Sequence, residues 1–188
     1  MSRIYLRLFS NQKNQMIKKL LIASIFLFVI SFLSCSKKEY TEDGIKQICA
    51  GIDSVLHNVE GEEFDWGSAN AYSYFTAYFH DSDFVFINEK LKDRGDNESF
   101  NRYYIYNFSA IQVIQKKIEY VSDENNIMHK SKLSLTIYIT PSGDVVMYDK
   151  LLNGKREQLT GEESAWIYKH SQELISIVKN RSKILKAK

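Results

Sequence analysis

The chain has 188 residues, and its 25 basic and 23 acidic side chains give a formal net charge of +2. Residues 1–34 hold five of the basic residues and no acidic one, which leaves 20 basic against 23 acidic residues and a net charge of about −3 for the rest. This balance gives no basis for a nucleic-acid-binding surface. A single proline argues against a long low-complexity stalk, and the roughly 150 residues after position 34 suffice for one domain with a hydrophobic core.

The N-terminal segment combines a basic start with an apolar run that ends at a cysteine. Lys18 and Lys19 precede the run LLIASIFLFVISFLS (residues 20–34), and Cys35 follows directly. A helix of this length covers about 22 Å, whereas a hydrocarbon core of ~30 Å takes about 20 residues to cross. The length is typical of the apolar part of a cleavable signal peptide. The alternative is an uncleaved N-terminal anchor.

These residues resemble a bacterial lipoprotein signal peptide over residues 16–38. Leu33 and Ser34 occupy the two positions before the cleavage point, and Cys35 occupies the position of the lipidated cysteine. The sequence departs from the family at Phe32, where a leucine-like residue is usual, and at Leu33, where a small residue is preferred.

The resemblance implies cleavage before Cys35, a thioether-linked diacylglycerol on its sulfur and usually a third acyl chain, such as palmitate, on its amino group. Two or three acyl chains anchor a protein firmly to a membrane. Ser36, where an aspartate would be typical of retention, resembles the pattern of lipoproteins forwarded to an outer membrane. We therefore expect a membrane-anchored protein of the bacterial cell envelope, located at the outer membrane.

Apolar residues at spacings of three and four predict an amphipathic helix over about residues 43–60, with Thr41 or Asp43 as its N-cap. Cys49 lies on the apolar face of this helix, so we expect a buried thiol. Once Cys35 is lipidated, Cys49 has no disulfide partner within the chain.

Residues 60–70 (EGEEFDWGSAN) are predicted to form a solvated acidic loop that carries Trp66, because the carboxylates lack the spacing of a calcium-binding loop. From Ala71 on, aromatic and β-branched residues with polar breaks predict strands. The predicted strands are 71–80, 83–91, 100–108, 111–120, 132–140 and 144–152. Short breaks between consecutive strands favour antiparallel hairpins. For residues 155–159 the sequence leaves two possibilities, a loop or a further short strand.

Thr160 and Glu163 have the spacing of a capping box, which predicts a second helix up to about Arg181. Each predicted helix has a single apolar stripe to bury. The predicted fold is therefore α+β: an antiparallel six-stranded β-meander with the N-terminal and C-terminal helices packed on one face. The predicted organisation is a signal peptide over 1–34 (with 1–15 as an upstream extension if Met16 is the true start), a lipidated cysteine and polar tether over 35–43, and one α+β domain over 44–188.

The patterns that usually carry catalysis or metal binding are missing from the sequence. It contains no GxGxxG, GxxxxGK or GxSxG motif, and its four histidines have no HxxxH spacing. His80 lies beside Asp81 and Asp83, so it is either a hydrogen-bonded loop residue or a weak metal or acid–base site. The other histidines, His170 among them, are assigned to polar loops or polar helical faces. We expect no enzymatic activity, no metal and no cofactor.

Aromatic residues are unusually dense in the first three predicted strands, and neighbouring pairs such as Tyr103 and Tyr104 must point to opposite sides of the sheet. One interpretation is cross-strand aromatic packing within the core. The other is a tyrosine-rich recognition surface, because tyrosine combines a large contact area with a polar tip. The candidate residues for that surface are Tyr72, Tyr74, Tyr78, Tyr104, Tyr106 and Trp66.

The leading hypothesis is a membrane-anchored envelope lipoprotein whose domain is a non-enzymatic binding or interaction module for a protein or glycan partner. One alternative is an inhibitor or immunity-type protein against a toxin or lytic enzyme, with the acidic segment Glu60 to Asp65 as the inserting loop. The other is a structural subunit of an envelope assembly. No nucleic-acid partner is expected.

Overall fold

The computed structural model describes residues 40–93 and 97–186, and the predicted signal peptide with Cys35 lies outside them. Helix α1 (Glu42–Val55) continues into a short 3₁₀ turn (Leu56–Asn58) and precedes the sheet; helix α2 (Gly161–Arg181) and the single turn α3 (Lys183–Lys186) follow it. The strands are β1 (Glu60–Gly67), β2 (Ala71–His80), β3 (Asp83–Asp93), β4 (Glu98–Tyr106), β5 (Ser109–Ser122), β6 (Met128–Ile139), β7 (Val145–Leu152) and β8 (Lys155–Arg156).

The strands form one antiparallel sheet in chain order, from β1 at one edge to β8 at the other. The α+β class and the antiparallel meander are therefore confirmed. The predicted number of six strands is too low, because β1 and β8 extend the sheet to eight. None of the helices in the described ranges has the length and apolar character that crossing a membrane requires.

The prediction of an acidic loop over residues 60–70 is wrong, because residues 60–67 are strand β1. Every residue of β1 is in register with β2, from Glu60 opposite Phe79 to Gly67 opposite Tyr72. Phe64 stacks on Phe75 with ring centroids 5.4 Å apart. The apolar side chains of β1 thus alternate with carboxylates that remain in water, as in any strand with one buried face.

The two helices lie on opposite faces of the sheet, so the prediction that both pack on one face is wrong. The core under α2 contains Ile167 and Leu174 of that helix together with Tyr103 of β4. The core under α1 contains Ile45 and the adjacent Tyr104. Consecutive strand residues point to opposite faces, and both faces of the central strands are apolar. Each helix therefore has an apolar surface of its own to cover.

Both helices begin as their sequences predict. The side chain of Thr41 accepts a hydrogen bond from the backbone N–H of Gly44 at 3.2 Å and caps α1. The capping box at the start of α2 is complete: Thr160 Oγ1 accepts from the Glu163 N–H, and Glu163 Oε2 accepts from the Thr160 N–H. Cys49 lies on the buried side of α1 with 5% of its surface exposed, and burial, aided by Asp53, raises the pKa of its thiol to about 12.

Candidate functional site

The six residues predicted as a binding surface differ in whether they pack under a helix or remain exposed. Tyr78, Tyr104 and Tyr106 pack in or against the core under α1. Tyr104 is 6% exposed and donates a hydrogen bond from its hydroxyl to Asp53 Oδ1 at 2.8 Å. Burial and this carboxylate raise its pKa. These three tyrosines therefore belong to the packing between helix and sheet.

Tyr72 and Tyr74 lie on the same face of the sheet but beyond the reach of α1. They are 49% and 65% exposed, and their rings meet edge to face with centroids 5.9 Å apart. Trp66 lies on the opposite face, against the core under α2. Of the six predicted residues, Tyr72 and Tyr74 are thus exposed, and the other four pack in or against a core.

Cations and one further aromatic ring complete the exposed region around Tyr74. Cross-strand pairing places Tyr74 opposite Lys90, Lys90 opposite Phe100, and Phe100 opposite Lys116. We call this region the open face and define it by Tyr72, Tyr74, Lys90, Phe100, Arg102 and Lys116. All six side chains are exposed, and all but Tyr72 line a shallow concavity of about 910 Å³.

The cations of the open face differ in what already binds them. Lys90 Nζ lies 5.4 Å from the centroid of the Phe100 ring and 3.3 Å from Glu98 Oε1. Hydrogen bonds from Lys92 and Lys90 lower the pKa of that carboxyl. Arg102 and Lys116 form no ion pair with any residue that the structure describes. Two exposed positive charges beside exposed aromatic rings are suited to bind anionic groups.

A second group of functional side chains is buried on the other face, between the sheet and α2. Glu89 of β3 accepts hydrogen bonds from Asn101 Nδ2 at 2.8 Å and from the Tyr103 hydroxyl at 2.7 Å, both on its Oε2 atom. Its Oε1 atom lies 2.7 Å from His170 Nε2. Glu89 and His170 are each only 3% exposed. Charged groups this deeply buried need such partners.

The electrostatics of this cluster favour an ionised carboxylate. Burial alone would raise the pKa of Glu89, but the hydrogen bonds from His170, Asn101 and Tyr103, together with the His170 charge, lower it. The His170 ring stacks on Trp166 at 4.9 Å between centroids and meets Trp66 edge to face at 4.7 Å.

The assignment of His170 to a polar helical face is wrong. His170 lies three residues after Ile167 and four before Leu174, the two residues that mark the apolar stripe of α2. That spacing was a usable signal. Glu89 likewise occupies an inward position of β3 between Ile87 and Leu91. Nothing in the sequence, however, shows that these two side chains meet.

The region around His80 shows only a weak pair, with His80 Nδ1 3.7 Å from Asp81 Oδ2 and an Asp81 side chain that is 88% exposed. In residues 40–93 and 97–186 no three His, Cys, Asp or Glu side chains are grouped so that they could hold a metal ion.

Comparisons with protein-family models, with curated proteins and with solved structures give no match for this chain.

Proposed function

We propose that this chain is a membrane-anchored lipoprotein of the bacterial envelope, and that its domain is a non-enzymatic binding module whose open face binds an acidic glycan. The observation that carries this proposal is the exposure of Tyr74 and Phe100 beside Arg102 and Lys116, two cations without an ion-pair partner among the described residues. The aromatic rings offer flat surfaces to sugar rings, and the cations offer charge to carboxylate or phosphate groups.

The composition of the open face favours a glycan over a protein partner. The cores of protein interfaces are apolar and depleted in lysine. On the open face, Lys90 and Lys116 flank Phe100 on the two neighbouring strands. Thr76 and Asn88 add neutral polar side chains to the same concavity, and Glu63 adds one exposed carboxylate. Such a mixture suits a polar, charged ligand that remains partly hydrated.

The proposed location depends on the N-terminal residues. The lipoprotein-like signal places a lipidated Cys35 only a few residues before α1, so the domain stays close to the membrane surface. Ser36 supports delivery to an outer membrane. An envelope glycan would then be within reach of the open face.

The inhibitor alternative loses its main support, because the acidic segment it relied on is the edge strand β1 and not a protruding loop. A role as a structural subunit of an assembly predicts instead that the domain holds a stoichiometric protein partner.

The direct test uses the full chain in phosphatidylcholine nanodiscs and measures binding to immobilised polygalacturonate, with uncharged dextran as the comparison polymer. We expect binding to polygalacturonate only, weakening as salt is added, because salt screens exposed charges. The double variant Arg102→Gln/Lys116→Gln should bind at least about tenfold more weakly, the loss expected for two charge-assisted contacts. Tyr74→Ala should also weaken binding.

Lys169→Gln is the matched control, because Lys169 is exposed on α2, on the other side of the sheet. It removes one positive charge from the same protein and should bind normally. Equal losses in Lys169→Gln and the double variant, or no binding to either polymer, would contradict the glycan proposal. Recovery of one stoichiometric protein partner that needs Tyr72 and Tyr74 would support the assembly alternative instead.

A further inference from the structure

The face of the sheet that carries α2 contains a cavity of about 800 Å³ beside the first turns of that helix. Cavities of roughly 300–1,000 Å³ are typical of small-molecule sites. We call this space the tryptophan cavity. Its apolar lining includes Trp66, Leu133, Leu152 and Trp166, and exposed or half-buried polar side chains such as Asp93, Glu119 and Glu162 line its rim.

The leucines among these lining residues are arranged by the strand register. Leu133 of β6 pairs with Leu152 of β7, and Leu91 of β3 pairs with Ser99 of β4. The two tryptophans lie at one side, where both also contact His170. An apolar ring or chain could therefore lie against leucine and indole groups.

Of the polar side chains that line the cavity, two are buried. Ser99 is 2% exposed and Gln115 is 8% exposed, and both line the cavity. Ser99 Oγ lies 3.4 Å from Asn101 Nδ2, within the polar cluster around Glu89. The Gln115 amide makes no hydrogen bond to any described residue. A ligand that can both donate and accept a hydrogen bond would satisfy it.

The lysines at the rim already have partners. Lys150 Nζ lies 2.6 Å and 2.9 Å from the two carboxylate oxygens of Glu163 and also donates to the Gln158 carbonyl at 3.2 Å. Lys117 pairs with Glu119. A charged ligand would have to compete with these pairs, whereas an uncharged one would not.

We infer that the tryptophan cavity binds a small, uncharged, amphipathic molecule. Its apolar part lies against the leucines and the two indole rings, and its hydrogen-bonding group reaches Gln115. This site is separate from the open face, because Gln115 and Lys116 are consecutive on β5 and point to opposite sides of the sheet. The inference therefore does not depend on the proposed function.

The tryptophan content makes the test direct. The chain has two tryptophans, and both line the cavity. In the full chain labelled with 5-fluorotryptophan and held in nanodiscs, both ¹⁹F resonances should shift saturably when 4-phenylphenol is added. This probe is uncharged at neutral pH, has an apolar biphenyl body and carries one hydroxyl group. Empty nanodiscs give the free probe concentration.

Gln115→Leu removes the polar partner at nearly constant volume and should weaken probe binding about fivefold to tenfold, the loss expected for one hydrogen bond. Leu133→Gln places an amide in the apolar wall and should weaken it further. Ser134→Gln is the matched control, since Ser134 is adjacent on β6 and pairs with Lys116 of the opposite face. It should bind the probe as the unmodified chain does.

Circular dichroism verifies that each variant is folded. If Leu133→Gln does not fold, the binding measured for Gln115→Leu tests the inference by itself. Resonances that do not move at saturating probe, or equal weakening in Ser134→Gln and Gln115→Leu, would overturn the inference. Failure of polygalacturonate binding would leave this result unaffected.

Discussion

Tyr103 and Tyr104 are consecutive on β4, yet their hydroxyl groups donate hydrogen bonds to carboxylates on opposite faces of the sheet. Tyr103 Oη lies 2.7 Å from Glu89 Oε2 under α2, and Tyr104 Oη lies 2.8 Å from Asp53 Oδ1 of α1. Glu89 is buried, whereas Asp53 is exposed. Water can replace a lost donor at Asp53 but has little access to Glu89.

Removing the two hydroxyl groups should therefore have unequal effects. We expect Tyr103→Phe to lower the free energy of unfolding by about 1–3 kcal/mol, because a buried carboxylate loses a donor. Tyr104→Phe should cost only about 0.5–1.5 kcal/mol. Urea unfolding of both variants at neutral pH measures the difference. A loss of stability in Tyr104→Phe that equals or exceeds that in Tyr103→Phe would show that the hydrogen bond to Glu89 contributes no more stability than the one to Asp53.

Glu89 should also make stability depend on pH. Its pKa is lowered in the folded protein from an ordinary value of 4.5, so the unfolded chain takes up the proton first as pH falls. The stabilisation by Glu89 is therefore full well above pH 4.5 and decreases as pH falls through the folded-state pKa. Glu89→Gln should be less stable than the unmodified chain by about 3 kcal/mol at neutral pH, and this gap should shrink below pH 4.5.

The control for this series is Glu157→Gln, a change at an exposed loop carboxylate. It should leave stability nearly unchanged at every pH between 7 and 3. A gap between the unmodified chain and Glu89→Gln that stays constant over the acid range would contradict the lowered pKa of Glu89.

The Cys49 thiol should resist modification in the folded protein. Burial and the raised pKa, about 12, leave almost no accessible thiolate at pH 8. In a Cys35→Ser chain, where Cys49 is the remaining cysteine, reaction with Ellman's reagent should be slower on the order of a hundredfold in the folded state than in urea.

An exposed thiol on the same helix provides the comparison. Ser54 is exposed near the end of α1, so Ser54→Cys in a chain with both natural cysteines changed to serine should react rapidly without urea. Similar rates for Cys49 and this introduced cysteine would show that Cys49 is accessible in solution.

The lipid anchor is tested by metabolic labelling. Replacing Cys35 by alanine should abolish incorporation of radiolabelled palmitate, because the thiol that receives the diacylglycerol is gone. Cys49→Ala serves as the second cysteine variant and should incorporate label normally. Labelling that persists in Cys35→Ala would remove the basis for the lipoprotein proposal.

Local sequence patterns predicted most of the secondary structure. The six predicted strands correspond to β2–β7, and both helix starts follow from Thr41 and Thr160. β1 was missed because acidic residues and glycine have low strand propensity, although Glu62, Phe64 and Trp66 alternate correctly. Pairing with the strongly β-forming β2 outweighs that low propensity.

These local patterns could not predict which face of the sheet each helix covers or which residues distant in sequence come into contact. With both faces of the central strands apolar, the sequence does not say which face each helix covers. The same limit applies to the candidate sites. The sequence identified Tyr72 and Tyr74 as candidate surface residues, but their exposure depends on how much of the sheet face α1 covers. The contact between Glu89 and His170 joins residues 81 positions apart and is set only by the packing of α2.

The late position of His170 in the chain constrains the order in which the domain can be completed. β3 leaves a ribosome or an export channel some eighty residues before α2 does. Before α2 has been synthesised, the Glu89 carboxylate lacks its hydrogen bond to His170. Because burying a carboxylate without this partner is costly, we expect that face of the sheet to remain solvated until then. The hairpins of the growing meander can therefore form one after another during synthesis. Burial of the sheet face under α2 requires nearly the whole polypeptide to have emerged.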